Sequence, residues 1–219
     1  MVLRYLLCGC LCNPWLLTAQ SQKIALLVGV SHYQDTNWLD IHGKEDVAML
    51  GPLLKDRGFQ VISLTEEQAT KQAIRNALSR TAGMVRPGDI VLVHFSLHGQ
   101  QITDLSPLDE PDGFDETLIP YDCPFYEDTA FAYNGALHLT DDLLNTDLRA
   151  IRQKIGDTGD GQLLVLLDAC HSGDGTRSIR TLPKTNKTCR GVDKKIRFGL
   201  ENQLTNNKDT DKQFSSDAP

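Results

Sequence analysis

The chain has 219 residues, 40% of them apolar and 23% charged, with a formal net charge of −7 at neutral pH. That length fits one domain with tails, and the composition is that of an ordinary globular protein. The acidic balance counts against nucleic acid as a partner.

The first 19 residues read as an export signal: Arg4, then the 15-residue apolar stretch YLLCGCLCNPWLLTA, with Ala19 as a small residue for cleavage. The run is short for a membrane span. An uncleaved anchor, or lipidation at Cys10 in LLCGC, is the other reading, and only those bring a membrane in as a partner. Cleavage leaves Cys123, Cys170 and Cys189, an odd number, so at least one thiol is not paired within the chain.

KIALLVGV (23–30) reads as a buried strand of parallel type. GKEDVAMLGPLLKDRG follows with Val47, Leu50 and Leu54 at helical spacing, and Gly51-Pro52 is expected to kink or break that helix. FQVISLT (59–65) is a second strand, and Thr70 caps a second helix carrying Ile74 and Leu78. DIVLVHFSLHG (89–99) reads as one third strand, followed by a long acidic loop without periodicity. Thr140 caps a third helix with Leu144, Leu148, Ile151 and Ile155 on one face. QLLVLLDAC then gives a fourth strand suited to burial on both faces. From Thr181 the chain turns polar and is read as a disordered tail. Strands alternating with helices imply βαβ units, a mostly parallel sheet flanked by helices, and ligands beyond the carboxyl ends of the strands.

Charge is uneven. Between Pro87 and Leu148 stand thirteen carboxylates and no Lys or Arg, whereas 177–197 carries eight basic residues and one acid, Asp193. The acidic block offers oxygen-only ligands on an irregular loop, the chemistry that suits Ca²⁺.

The third strand runs into HFSLHGQ and the fourth into LLDACHSG. If both carboxyl ends share one edge, His98 and Cys170, 72 residues apart in sequence, meet in space. An imidazole that takes a thiol's proton, or holds the thiolate as an ion pair, makes a cysteine nucleophile. The backbone N–H groups of Gly99 and Cys170 would then face a developing oxyanion. A buried structural cysteine beside a surface histidine fits the same bare pattern.

At these residues the chain resembles the metacaspases and related bacterial caspase-like cysteine peptidases. HFSLHGQQ and LLDACHSG are similar to their two catalytic motifs. ALLVGVSHY and HGKEDVAML resemble their first strand and the helix after it, and EPDGFDETLIPYD with LTDDLL resembles their acidic loop and the segment following. The resemblance spans residues 22–177, with a tail from 178 to 219. It implies a caspase-hemoglobinase α/β fold and a His98–Cys170 dyad with no obligatory side-chain third member. Two departures stand out. Leu97 occupies the place of the family's glycine before the histidine, and the basic tail stands where the family continues into a small subunit, so its strands are expected to be missing or supplied by a second chain.

The resemblance also implies a specificity pocket. Caspases proper hold an aspartate with arginine, whereas here Asp168 precedes the nucleophile by two residues, and Asp46 and Ser96 match the family's other pocket positions. Carboxylates there favour a polypeptide substrate with Arg or Lys before the scissile bond. For Asp46, the helix dipole alone would also favour an acid at a helix start. Asp115, Asp141 and Asp142 match calcium ligands of the family, with Asp174, near Arg177, a guess for a fourth. Calcium stimulation, export, and cutting or occupation of the pocket by the basic tail are the remaining expectations. A non-catalytic caspase-like half-domain that binds a partner is the alternative. A small flavodoxin-like binder is disfavoured by the absence of a phosphate-binding Gly-rich loop after the first strand.

Overall fold

A computed structural model describes residues 21–104, 108–125, 135–156 and 161–169. Cys170, Asp174, Cys189, and with them the expected export signal and the stretch from 178 to 219, lie outside the described residues. In chain order the elements are β1 (Lys23–Gly29), α1 (Gly43–Asp56), β2 (Gln60–Thr65), α2 (Lys71–Met84), β3 (Ile90–Ser96), β4 (His98–Thr103), β5 (Phe114–Ile119), β6 (Leu139–Thr140), α3 (Asp141–Ile155) and β7 (Gln162–Asp168).

β2, β1, β3 and β7 form a parallel sheet in that order. β4, β5 and β6 form a small antiparallel sheet. Alternating residues of β1 and β3 face opposite layers. Ala25, Leu27 and Leu92 pack with Val47 and Leu54 of α1. Ile24, Leu26, Val28, Val91 and Val93 pack with Ile74 and Leu78 of α2 and Leu144 and Ile151 of α3. Thr70 and Thr140 cap their helices as expected, accepting from Ala73 N–H (3.2 Å) and Leu143 N–H (3.4 Å). Arg75 of α2 and Asp147 of α3 join in a two-pronged pair, at 2.8 and 3.1 Å. Among the described residues no helix is long and apolar enough to cross a membrane.

Four expectations are corrected. α1 runs unbroken through Pro52. Its buried residues Val47, Gly51 and Leu54 lie on both sides of the proline, so packing of both halves on the sheet offsets the lost backbone bond, about 3 kcal/mol. The strand read over 89–99 is two strands in different sheets: β3 ends at Ser96, Leu97 N–H donates to the Asp168 carbonyl (3.3 Å), and His98 opens β4. The acidic stretch read as a loop contains β5, paired with β4 from His98↔Ile119 to Thr103↔Phe114. That hairpin is buried yet polar, with Gln100, Gln101, Thr103, Asp115 and Thr117 all shielded, so no apolar alternation marks it. Finally, β7 is not buried on both faces: Leu164 is 51% and Leu167 52% exposed, because among the described residues β7 is an edge strand.

Candidate active site

The carboxyl ends of β1, β3 and β7 lie side by side, with Gly29↔Ser96 and Ser96↔Asp168 as register partners. α1 begins directly above them. This close seating depends on two glycines. A Cβ on Gly43 would strike the carbonyl oxygens of Ser96 and Val30, and one on Gly29 would strike the Gly43 carbonyl. The helix start therefore reaches over the sheet edge, and Ser96 Oγ donates to Asp46 Oδ2 at 2.7 Å. By strand alternation Asp168 lies on the same face as Ser96. Asp46, Ser96 and Asp168, singled out from sequence, are thus gathered at one place.

His98 sits beside them in β4, buried at 1% exposure. Its Nε2 is 2.7 Å from the Leu39 carbonyl. A carbonyl only accepts, so Nε2 carries the proton and Nδ1 is the basic nitrogen. The His98 backbone N–H donates to Tyr33 Oη at 2.8 Å. The ring stacks on Trp38 at 5.3 Å between centroids and 27° between planes, and also contacts the Tyr33 ring at 5.2 Å. Gly99 follows in β4, opposite Leu118. Cys170 lies outside the described residues, two positions beyond Asp168.

Tyr33, Trp38 and Leu39 carried no expectation from sequence, although two aromatics in the short polar segment SHYQDTNWLD after a buried strand are a signal in retrospect. The loop holding them is fastened from several sides. Glu66 Oε2 accepts from the N–H groups of Ser31 (3.1 Å) and His32 (3.2 Å), which holds Glu66 itself in the left-handed region at φ 50°. Ser31 Oγ donates to Glu45 Oε2 (2.6 Å), which draws that carboxyl below its usual range, and accepts from Lys44 N–H (2.9 Å). Trp38 Nε1–H donates to the Cys123 carbonyl (3.0 Å), and Phe125 meets the indole edge-on at 4.9 Å.

The second cluster is acidic. Asp104 at the end of β4 is 3% exposed and Asp115 in β5 is 5% exposed, with Asp141 and Asp142 in the first turn of α3. One carboxylate oxygen of each is buried with no hydrogen-bond partner among the described residues. Burial, then the nearby charges of Asp104, Asp141, Asp142 and Glu110, push the Asp115 carboxyl up to about 7. Burial is also the largest cause raising Asp141. Of the three expected ligands only Asp141 falls within the tightest convergence, in which oxygens of Glu110, Glu116 and Asp141 lie within 4.8 Å of one another. Glu110, Glu116 and Asp104 were missed. Asp104 Oδ2 accepts from the N–H groups of Asp109 and Glu110, both at 3.0 Å, and so turns the loop that brings Glu110 in.

A family model for the caspase domain matches residues 22–217. Metacaspase-1 of Mycosarcoma maydis is 30% identical over 70% of this chain and 36% of its own length. Metacaspase-2 of Arabidopsis thaliana is 33% identical over 69% of this chain and 35% of its own. A crystal structure of a protein from Geobacter sulfurreducens is 30% identical with a TM-score of 0.52, over 69% of this chain and 52% of that one. The chain spans about a third of the length of the curated relatives it matches.

Proposed function

The chain belongs to the caspase-domain family, and on that premise we propose that it is a cysteine endopeptidase that cuts polypeptides after Arg or Lys. Cys170 is the nucleophile in this reading and His98 its base. The observation that carries it is the sheet edge itself. His98, with its tautomer set by the Leu39 carbonyl, stands beside the bonded pair Asp46–Ser96 and beside Asp168, and Cys170 follows Asp168 by two positions.

His98 Nδ1 takes the thiol proton, and the thiolate attacks the scissile carbonyl. Backbone N–H groups of Gly99 and Cys170 receive the oxyanion. The imidazolium returns its proton to the leaving amine, and a water activated by the same nitrogen then hydrolyses the thioester. The carboxylates of Asp46 and Asp168 favour a cationic side chain before the cut bond, and Ser96 holds Asp46 in place.

Calcium fits the acidic cluster. The donor set is all oxygen, and its buried carboxylates are charge-crowded and short of hydrogen bonds, as cation ligands are before loading. Asp115, Asp141 and Asp142 would hold the ion. It would neutralise the crowding where β5 meets α3, and activity would rise with it. The basic stretch 177–197 is a tethered segment of the charge this pocket selects, so self-processing belongs to the same proposal. Export by the leader completes it.

The test is hydrolysis of fluorogenic Arg, Lys and Asp peptides by the full chain, with calcium or chelator. Cys170→Ala and His98→Ala are each expected to abolish turnover, and the double variant to lose no more than either single one. Mass spectrometry of the same samples is expected to show cuts after Lys or Arg within 177–197 in the wild type alone. Unchanged hydrolysis in Cys170→Ala overturns the assignment. A folded wild type without turnover on any peptide favours a binding module, and preference for Asp peptides overturns the basic pocket.

A further inference from the structure

His98 poses a problem of charge. A thiolate–imidazolium pair needs the ring protonated, yet the ring is 1% exposed, and burial pushes an imidazole toward its neutral form. Something must favour the cation in place. The Leu39 carbonyl does part of this by taking the Nε2 proton. Two aromatic rings, Tyr33 and Trp38, also lie against it.

We propose that Trp38 is a positioning residue for His98 that acts through charge: its indole face stabilises the imidazolium and so lowers the thiol pKa of the cysteine the ring serves. The arrangement suits this role. Centroids 5.3 Å apart and planes 27° apart give an offset stack of the ring on the indole, inside the distance at which cations are attracted by tryptophan. The indole is 3% exposed, so water does not screen the attraction. It is also held still, by its N–H on the Cys123 carbonyl and by Phe125 against it.

Other groups bear on the ring's charge. Tyr33 comes from the same loop and Asp40 follows Trp38, its carboxylate 3.8 Å from His32. Asp46 of α1 is tied to Ser96, Asp168 closes β7, Cys123 lies behind the indole, and Cys170 follows. All remain when only Trp38 is changed, so a difference between variants reads the indole.

This inference rests on the dyad reading for its purpose, but its first test does not need Cys170. In the full chain carrying Cys170→Ala, the His98 side-chain resonance is titrated by NMR with Trp38, Trp38→Phe and Trp38→Leu. The Leu variant is expected to titrate lower by about one pH unit, the size a desolvated cation–π contact gives, with Phe between. If the Leu variant does not fold, replacing tryptophan by 5-fluorotryptophan decides: it keeps the shape, draws charge from the ring face, and is expected to lower the midpoint in the same direction. Equal midpoints in the folded samples overturn the proposal. With Cys170 restored, the pH at which alkylation by iodoacetamide begins should move up in the Trp38 variants. A graded His98 midpoint with no low-pH alkylation in the wild type keeps the Trp38 role and overturns the dyad. Low-pH alkylation with ungraded midpoints keeps the dyad and overturns Trp38.

Discussion

At the scale of single residues, the site works by pairing polar groups before a substrate arrives. Ser96 Oγ spends its proton on Asp46, which orients that carboxylate and leaves Asp168 as the second acid on the same face. Two carboxylates at one sheet edge are stable together only with solvent or a cation between them, and that is the ground for the proposed preference for a basic side chain. Asp168→Asn is nearly isosteric and is expected to lower kcat/KM for Arg and Lys peptides by less than the loss of a fully desolvated charge pair, since Asp168 is exposed at the end of β7. Neutral peptides should change far less. Parallel kinetics on Arg, norleucine and Asp substrates check this, and an equal loss on all three means that Asp168 serves the fold instead.

At the scale of elements, one contact decides whether Asp46 reaches Ser96. α1 can lie against the ends of β1 and β3 only because Gly29 and Gly43 carry no side chain. Gly43→Ala puts a methyl group into backbone oxygens that cannot rotate away, so the helix start must lift. Overpacking of this kind costs about 1–3 kcal/mol, and Asp46 moves away from Ser96 with it. The expected result is a lower thermal midpoint together with weakened basic-peptide turnover, measured by calorimetry and kinetics on one sample. Gly83→Ala in α2, where a new Cβ meets nothing within 4 Å, should leave both unchanged or slightly improved. The polar hairpin of β4 and β5 is held differently. Thr117 Oγ1 donates to the Gln100 carbonyl (2.8 Å), and Gln100 Oε1 lies 3.0 Å from Nε2 of His138, whose ring burial pushes down to about 3 and so keeps neutral. Hydrogen bonds hold that element alongside the apolar contacts of Leu118 and Ile119 with the core.

For the whole molecule, the acidic cluster stands where the small sheet meets α3, and its like charges press those two elements apart. Without a cation the Asp115 carboxyl is raised to about 7 in the folded chain, from an ordinary value of 3.8. The sign follows: its contribution to stability is fully present below about pH 4 and is lost as pH rises through about 7. In chelator the folded chain should therefore lose stability across that window. Calcium competes with protons for the same oxygens, so it should raise the thermal midpoint strongly at pH 8, weakly at pH 5.5, and release protons on binding near pH 6.5. Asp115→Asn should flatten the slope in chelator and remove most of the calcium response. An identical pH profile for wild type and Asp115→Asn would mean that the crowding has no thermodynamic consequence.

The sequence by itself determined the three helices, the threonine caps of α2 and α3, and the parallel strands, because each rests on local pattern. Apolar runs of strand length, spacing near 3.6 and a threonine before a polar first turn are short-range signals. The motifs around His98 and Asp168 are equally local. Only the tertiary structure decided that the run through Leu97 divides between two sheets, since Phe95, Leu97 and their neighbours are equally buried on either side of the change. It alone decided that polar Gln100, Gln101 and Thr117 belong to a buried strand pair, because their bonds reach 15 to 17 residues along the chain: Thr117 Oγ1 donates to the Gln100 carbonyl and Gln101 Nε2 to Glu116 Oε1. And it alone placed Trp38 and the Leu39 carbonyl on His98, 59 residues away from Leu39, since a contact made across a loop and a sheet leaves no period in the chain.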